Sequence, residues 1–304
     1  MIKLIWESWI SPFFIKPVGL FLFFLCCIVG VKKFNKFFLH LEADMAIGRV
    51  LFLKTIYFNL RSLPFKQAIK FPIFIYSKTQ IVSTSGSIKF ECDKVMSGMV
   101  KWGVFDGFRC IGKTRINNYG QIILKGKGKI YRGNEICVYD VGKLIMDDDF
   151  YLAENTMIYC HCLIRIGKHL RFAYHSQIID SDFHYTVNIN TGEVQKFKRA
   201  IEIGDYNWIA NKTTIKKGTK TPNHTTVAGS YSVLCKDYTK DIPEYSIIGG
   251  VPAKLIVTGY SRLWNNEDKR IHEINDWFEN NPDEKVYKYD IKNIKLTNLT
   301  ENEG

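Results

Sequence analysis

The chain has 304 residues, of which 46% are hydrophobic and 14% aromatic, so it holds one or two domains and is not globally disordered. Its formal net charge of +12 favours an anionic partner, such as a phosphate-bearing cofactor, an acidic glycan or a membrane surface. Nucleic acid is not an expected partner, because the lysines are scattered and no nucleic-acid-binding motif is present.

Residues 1–82 are apolar and basic, and we expect this region to be helical. Pro17 to Val31 is a run of fifteen uncharged residues with lysines on both sides, whereas a membrane-spanning helix needs roughly 20 apolar residues. A signal peptide is not expected, because Glu7 precedes the run and no A-x-A-like cleavage site follows it. Residues 12–31 therefore span a membrane, dip into it or pack on the protein body, and we favour membrane association.

Residues 83–258 have a different pattern, which starts near Ser83 and repeats every six residues. Aliphatic residues or threonine recur at Ile203, Ile209, Ile215, Thr221, Val227 and Val233. Four places after the first five of these stand polar residues, namely Asn207, Thr213, Thr219, Thr225 and Tyr231. This period is typical of a parallel β-helix, in which each six-residue rung forms a short strand and a corner and buries one side chain against the next coil.

The same period occurs upstream in three further series. They are Ile166, Phe172 and Ile178; Leu124, Ile130 and Ile136; and Met146, Leu152, Ile158, Ile164 and Leu170. The last series is shifted by four residues relative to the first two, and we interpret it as the second inward position of the same rungs. An α-helix would instead show a period near 3.6, and a sheet with one exposed face would show alternation.

The period breaks after the segment Asp180-Ser181-Asp182-Phe183-His184. Residues 185–200 are polar and basic, so we expect an extruded loop there. His184 at the edge of this loop suits a general base, because imidazole titrates near neutrality, and Asp180 or Asp182 could accept its other ring N–H. The simpler alternatives are a structural histidine and an Asp182 that bonds corner amides.

A metal site is not expected. An Asp-x-Asp pair of the glycosyltransferase kind needs an alternating α/β sheet, and no such alternation is visible. A zinc hydrase on a β-helix needs three histidine ligands, and the close histidine pair of that class is absent. The eight cysteines form no Cys-x-x-Cys pair, which favours reduced cysteines that fill apolar space.

Residues 259–304 are expected to form a helix followed by a polar tail. Apolar residues stand at helical spacing at Leu263, Ile271, Ile274, Trp277 and Phe278. Pro282 would end this helix, which we expect to lie against the last coil.

Several segments resemble the closing signature of the left-handed β-helix acyltransferases. They are residues 203–209 (IGDYNWI), 217–218 (KG), 227–230 (VAGS) and 249–254 (GGVPAK). The Asp-Ser-Asp-Phe-His segment is similar to the catalytic histidine motif of members that acetylate sugars. Residues 63–68 and 236–239 look like members encoded with bacterial capsule and O-antigen genes. The resemblance covers about residues 55–280 and departs at Ala210, where glycine is usual, and at Thr221–His224, which lacks the aliphatic residue.

This resemblance implies an all-β, left-handed parallel β-helix that forms a homotrimer with active sites between neighbouring chains. It implies direct transfer from acetyl-CoA with His184 as the base, no acyl-enzyme and no metal. Trp208 would lie near the reacting groups. Backbone N–H groups of Ala228, Gly229 and Ser230 would line the pantetheine arm, and Lys217 and Lys254 would face the phosphates. The alternatives are a plain corner tryptophan and solvated lysines.

We therefore predict an acetyl-CoA-dependent O-acetyltransferase for a sugar hydroxyl of a surface polysaccharide or its precursor. The enzyme would be cytoplasmic and peripheral on, or anchored to, the inner membrane, and its acceptor would be a glycan or a lipid-linked sugar. Two alternatives stay open. One is N-acetylation of an amino sugar nucleotide, for which loss of His184 would matter less, and the other is a non-catalytic trimeric scaffold.

Overall fold

The computed structural model describes residues 50–105, 112–263 and 267–290, and it divides into two compact units between Tyr260 and Ser261. The apolar run from Pro17 to Val31 lies outside the described residues. None of the helices within the described ranges is long and apolar enough to cross a membrane.

Three α-helices lie in the described residues, namely α1 (Phe52–Ser62), α2 (Phe65–Ala68) and α3 (Glu267–Asn280), and a short 3-10 helix spans Tyr238–Lys240. The ring of Phe58 in α1 is fully buried and packs edge-on against Trp102, with centroids 5.8 Å apart. The side-chain amide of Asn59 donates to the carbonyl of Ile73 at 2.7 Å and accepts from its N–H at 3.1 Å. Helix α1 thus covers the first coil of the β-helix, whose apolar end would otherwise be exposed.

The described residues contain 21 strands: β1 (Ile73–Ile75), β2 (Thr79–Thr84), β3 (Ser87–Phe90), β4 (Val100–Val104), β5 (Thr114–Asn118), β6 (Gln121–Leu124), β7 (Gly128–Tyr131), β8 (Glu135–Val138), β9 (Lys143–Met146), β10 (Phe150–Leu152), β11 (Met157–Cys160), β12 (Leu163–Ile166), β13 (Arg171–Phe172), β14 (Gln177–Ile179), β15 (Ile201–Ile203), β16 (Trp208–Ile209), β17 (Thr214–Lys216), β18 (Thr226–Val227), β19 (Val233–Leu234), β20 (Ser246–Gly250) and β21 (Ala253–Thr258).

These strands form three sheets, because the chain visits each side of a prism once per coil. Sheet 1 has nine strands in the order β1-β4-β7-β10-β13-β16-β18-β20-β21, sheet 2 has seven (β2-β5-β8-β11-β14-β17-β19) and sheet 3 has five (β3-β6-β9-β12-β15). Neighbouring strands are parallel, apart from the final antiparallel pair β20–β21. The predicted fold class, an all-β left-handed parallel β-helix, is confirmed.

The six-residue period places one side chain per strand inside the prism. Phe172, Ile209, Val227 and Ile248 pair in register across sheet 1, and all four are fully buried. Each such side chain adds roughly 1.5–3 kcal/mol of burial free energy. The inward column that the period predicts is therefore the continuous core of the molecule.

Three details of the predicted pattern are corrected. The corner after Val227 has one extra residue, so Leu234 is the inward side chain of β19, while Val233 is only partly buried. For the same reason, Ser232 occupies the buried polar position and Tyr231 is 63% exposed. Strand β1 begins the β-helix at Ile73, and the boundary expected near Ser83 falls inside β2.

The offset series also has a different cause from the one expected. Leu152 pairs with Phe172, and Ile158 pairs with Ile178, so both stand in the main inward column. The offset arises because the coil from Leu152 to Phe172 is longer than three six-residue rungs. The offset therefore does not mark a second inward position in these two strands.

The rung without an aliphatic residue is packed through hydrogen bonds. The hydroxyl of Thr221 donates to the side-chain oxygen of Asn207 at 2.9 Å and accepts from the N–H of Gly204 at 3.1 Å. The side-chain amide of Asn207 donates to the carbonyl of Pro222 at 2.9 Å. These buried polar groups satisfy one another, so the departure from the usual pattern leaves the stack intact.

Candidate functional site

The candidate site lies where the chain passes from sheet 2 to sheet 3, an edge of the prism that we call the 2–3 edge. The loop expected at residues 185–200 emerges there, between the end of β14 at Ile179 and the start of β15 at Ile201. Antiparallel bridges between Ser181 and Lys198 and between Val187 and Val194 shape it as a ribbon. The inward column then resumes, because Ile201 pairs with Ile164 of the coil below.

His184 stands at the base of this loop and is exposed. Within the described part of the chain, its ring forms no hydrogen bond or ion pair. The preceding residue, Phe183, has a φ of 62°, a left-handed conformation that turns the chain at this point. The ring of Phe183 packs edge-on against His161, with centroids 4.8 Å apart. His184 is thus presented to solvent by a turn that is anchored on the coil below.

Asp180 is fully buried and holds the corner of the coil below. One carboxylate oxygen accepts from the N–H of His161 at 2.6 Å, and the other accepts from Cys162 at 2.8 Å and Leu163 at 3.0 Å. Both oxygens are therefore engaged by backbone amides, and the expected bond from Asp180 to His184 is not formed.

Asp182 is also engaged elsewhere. Its carboxylate lies 2.5 Å from the ammonium of Lys217 in the coil above. The same ammonium donates to the carbonyl of Lys196 at 2.8 Å, so it holds both limbs of the loop. Lys217, which was expected at the CoA phosphates, therefore has two partners within its own chain.

His161 is a site residue to which the sequence gave no special weight. Its Nδ1 lies 2.8 Å from the hydroxyl of Ser181, and its ring stacks on Tyr139 with centroids 3.7 Å apart. Burial lowers the pKa of His161 and nearby Lys198 adds to this, while Asp180 acts in the opposite direction. The signal in the sequence that could have identified His161 is its position one coil before the Asp-Ser-Asp-Phe-His segment.

The remaining predicted residues lie on sheet 1 or at its edge with sheet 2. Trp208 begins β16 and is 45% exposed. The N–H of Ala228 donates to the carbonyl of Ile248 at 2.8 Å, whereas Gly229 and Ser230 are exposed at the turn that follows. Lys254 is exposed on β21.

One chain therefore brings only part of the predicted site together. His184, Asp180, Asp182 and Lys217 share the 2–3 edge, whereas Trp208 and Lys254 lie on strands of sheet 1 and the turn at residues 228–230 lies at the far edge of sheet 2. Since a strand rises ~3.3 Å per residue, these edges are on the order of 15 Å apart. No group of three or more His, Cys, Asp or Glu side chains in the described ranges could hold a metal ion.

No family model matches the chain. Among solved structures, it is similar to the polySia-specific acetyltransferase NeuO (18% identity, TM-score 0.38, 66% of this chain and 99% of that chain). It is also similar to the polysialic acid O-acetyltransferase OatWY (19%, TM-score 0.32, 66% and 83%) and to AntD, an N-acyltransferase from Bacillus cereus (14%, TM-score 0.33, 70% and 89%). The expected resemblance to β-helix acyltransferases is confirmed. At identities below 20% and TM-scores below 0.5, this likeness carries no activity or acceptor over to this chain.

Proposed function

We propose that the protein is an acetyl-CoA-dependent O-acetyltransferase that acts on a sugar hydroxyl of a surface polysaccharide or its precursor. The observation that carries the proposal is His184, an exposed imidazole at the base of a loop that Lys217 holds against the β-helix. Lys196, Lys198 and Arg199 give the same loop a positive charge that suits the phosphates of CoA or an acidic glycan.

In this reaction, His184 takes the proton of the acceptor hydroxyl while the hydroxyl oxygen attacks the thioester carbonyl of acetyl-CoA. A C–O bond forms and the C–S bond breaks. The proton passes from the imidazolium to the departing thiolate, which leaves an acetyl ester and free CoA. Because transfer is direct, the protein forms no covalent intermediate, and the base accounts for about 10²–10⁴ of the rate.

We propose further that a homotrimer completes the site. The CoA-binding residues would come from a neighbouring copy, whose Trp208 and Lys254 would face His184 across the cleft. The N–H groups of the exposed residues Gly229 and Ser230 would line the pantetheine arm, while that of Ala228 donates to Ile248 within the sheet. Lys254 would contact the phosphates. This arrangement is supported by the separation of the base from these residues within one chain.

The N-terminal run from Pro17 to Val31 would hold the enzyme at the cytoplasmic face of the inner membrane. Burial of such a run in lipid is favourable by ~0.8 kcal/mol per methylene group, and each flanking lysine adds about 1 kcal/mol of attraction to anionic headgroups. A lipid-linked glycan and cytosolic acetyl-CoA would meet at this surface.

The function is tested with purified full-length protein, labelled acetyl-CoA and de-O-acetylated surface polysaccharide of the producing cell. We expect an alkali-labile ester as the product, and His184→Ala should lower turnover by about 10²–10⁴ with CoA binding unchanged. His272→Ala, which changes an exposed histidine in α3, is the matched control. An alkali-stable amide, made equally well by His184→Ala, would indicate N-acetylation, and a failure to bind CoA would indicate a scaffold.

A further inference from the structure

A second surface feature lies on the 2–3 edge, in the coils that precede the loop. It is an open depression of about 460 Å³ with polar walls. The polar side chains that line it are Ser85, Ser87, Tyr119, Gln121, Asp140 and Lys143, and the exposed apolar side chain of Val141 lies beside them. Tyr119 is 43% exposed, and the side chains of Gln121 and Asp140 form no hydrogen bond with other described residues. The depression therefore offers hydrogen-bonding groups that the protein itself does not use.

Stacked glycines form the floor of this depression. A Cβ on Gly120 would lie 2.3 Å from the carbonyl oxygen of Tyr139, and a Cβ on Gly142 would lie 2.3 Å from that of Cys160. The coils can stack this closely only because these positions carry no side chain. The depression is consequently shaped by rigid backbone and exists before any ligand binds.

Aromatic rings connect the depression to His184. Tyr139 neighbours Asp140 and stacks on His161 at 3.7 Å, and the ring of Phe183 meets His161 at 4.8 Å, one residue before His184. Neighbouring coils are ~4.8 Å apart, so His184 lies about 10 Å beyond Asp140, which is two coils lower. The depression, these rings and His184 follow one another along the 2–3 edge, and we call this stretch of surface the edge groove.

We propose that the edge groove binds the acceptor as an oligosaccharide chain, and this inference rests on the function proposed above. The reacting sugar would lie at His184, and the sugars next to it would lie along Tyr139 and in the depression. Sugar rings present apolar C–H faces to aromatic side chains, and their hydroxyls suit amide, carboxylate and hydroxyl partners such as Gln121, Asp140 and Ser87.

The alternative acceptor, a nucleotide-linked monosaccharide, fits this groove less well. Asp140 and Lys143 line the depression together, so their charges balance and do not favour a diphosphate. A single sugar would also leave one end of the groove empty, because the groove extends over about 14 Å from Gln121 to His184, three coils apart. The groove therefore favours an acceptor of several linked rings.

The test uses fragments of de-O-acetylated surface polysaccharide of the producing cell, separated by length from one sugar to eight. For the wild-type enzyme, we expect kcat/KM to rise with length and then to level off. In Tyr119→Ala and Asp140→Ala, kcat/KM should fall by about 3- to 10-fold on the long fragments and change little on the shortest ones. Phe65→Ala, which removes another exposed ring in α2, should behave as wild type.

Calorimetric binding of the same fragments to the full chain, without acetyl-CoA, gives a second readout. Weaker binding of long fragments to Tyr119→Ala supports the edge groove even where no acetyl transfer is detected, and in that case the proposed function alone fails. Transfer that does not depend on fragment length, or an equal loss on all lengths in the variants, overturns the edge groove and leaves the O-acetyltransferase intact. If no fragment binds or reacts, both proposals are wrong.

Discussion

The ammonium of Lys217 lies 2.5 Å from the carboxylate of Asp182, and this salt bridge joins two successive coils across the base of the extruded loop. Only 12% of the Lys217 side chain is exposed. The position of His184 thus depends on a contact between residues 35 places apart in the chain.

The first prediction follows from this clamp. Lys217→Met and Asp182→Asn should each lower kcat by about 2- to 5-fold, because either change loosens the loop, and the double variant should be no worse than either single variant. The KM for acetyl-CoA should stay nearly constant. Steady-state kinetics on the three variants checks this. A raised KM for acetyl-CoA in Lys217→Met alone would instead support a direct phosphate contact.

Asp180→Asn should destabilise the β-helix. An asparagine can offer only one acceptor oxygen to the three N–H groups of His161, Cys162 and Leu163, and its own NH₂ would face donors. We expect a loss of about 2–4 kcal/mol, seen as a lower denaturation midpoint. Asp182→Asn is the matched control and should change the midpoint little. Unchanged stability in Asp180→Asn, together with lost activity, would return Asp180 to a catalytic role.

Stability should depend on pH through His161. Burial lowers the pKa of its ring in the folded state, so the folded protein binds this proton less readily than the unfolded chain. The stability that the neutral His161 ring contributes is fully present above the unfolded-state pKa of about 6.5. It is lost as the pH falls from this value toward the lower pKa of the folded state. His161→Gln should flatten this part of the profile, whereas His272→Gln should keep it. Thermal unfolding between pH 8 and pH 5 measures both, and identical profiles for wild type and His161→Gln would contradict the assignment.

The shared site predicts that inactive chains can rescue one another. Light scattering should give three times the chain mass of 35.3 kDa. His184→Ala and Ser230→Trp should each be inactive, because one lacks the base and the other blocks the CoA turn. Co-expressed chains should recover roughly a quarter of wild-type activity, the share of interfaces that pair two intact halves at random. A stable active monomer, or mixed trimers without activity, would show that each chain acts alone.

The N-terminal run predicts membrane binding. Full-length protein should pellet with membranes, and a chain that begins at Met45 should stay in the supernatant because it lacks the apolar segment. Fractionation at low and high salt separates the contribution of the apolar run to membrane binding from that of the flanking lysines, because salt screens only the latter. Full-length protein that remains in the supernatant under both conditions would place residues 17–31 on the protein body instead.

The β-helix was predictable from the sequence because its core is periodic. Each inward side chain, such as Ile209 or Val227, meets its equivalent in the next coil, so a local six-residue rule also describes long-range packing. The loop between β14 and β15 was predictable for the same reason, since it appears as a break in that rule. The rule failed at Leu234, where one extra corner residue shifts the register without any change in composition.

The partners of the polar groups were decided by the tertiary structure alone. The six-residue spacing favours Asp182 as the acceptor of the corner amides, but it is Asp180 that accepts from three backbone amides of the coil below. Asp182 instead pairs with Lys217 of the coil above. The edge groove likewise could not be predicted from the sequence, because Tyr119, Asp140 and His161 belong to three different coils of unequal length. A periodic sequence determines which side chains face the core, because burial depends on the repeat itself. It does not determine which outward side chains meet, because that depends on the length of every coil between them.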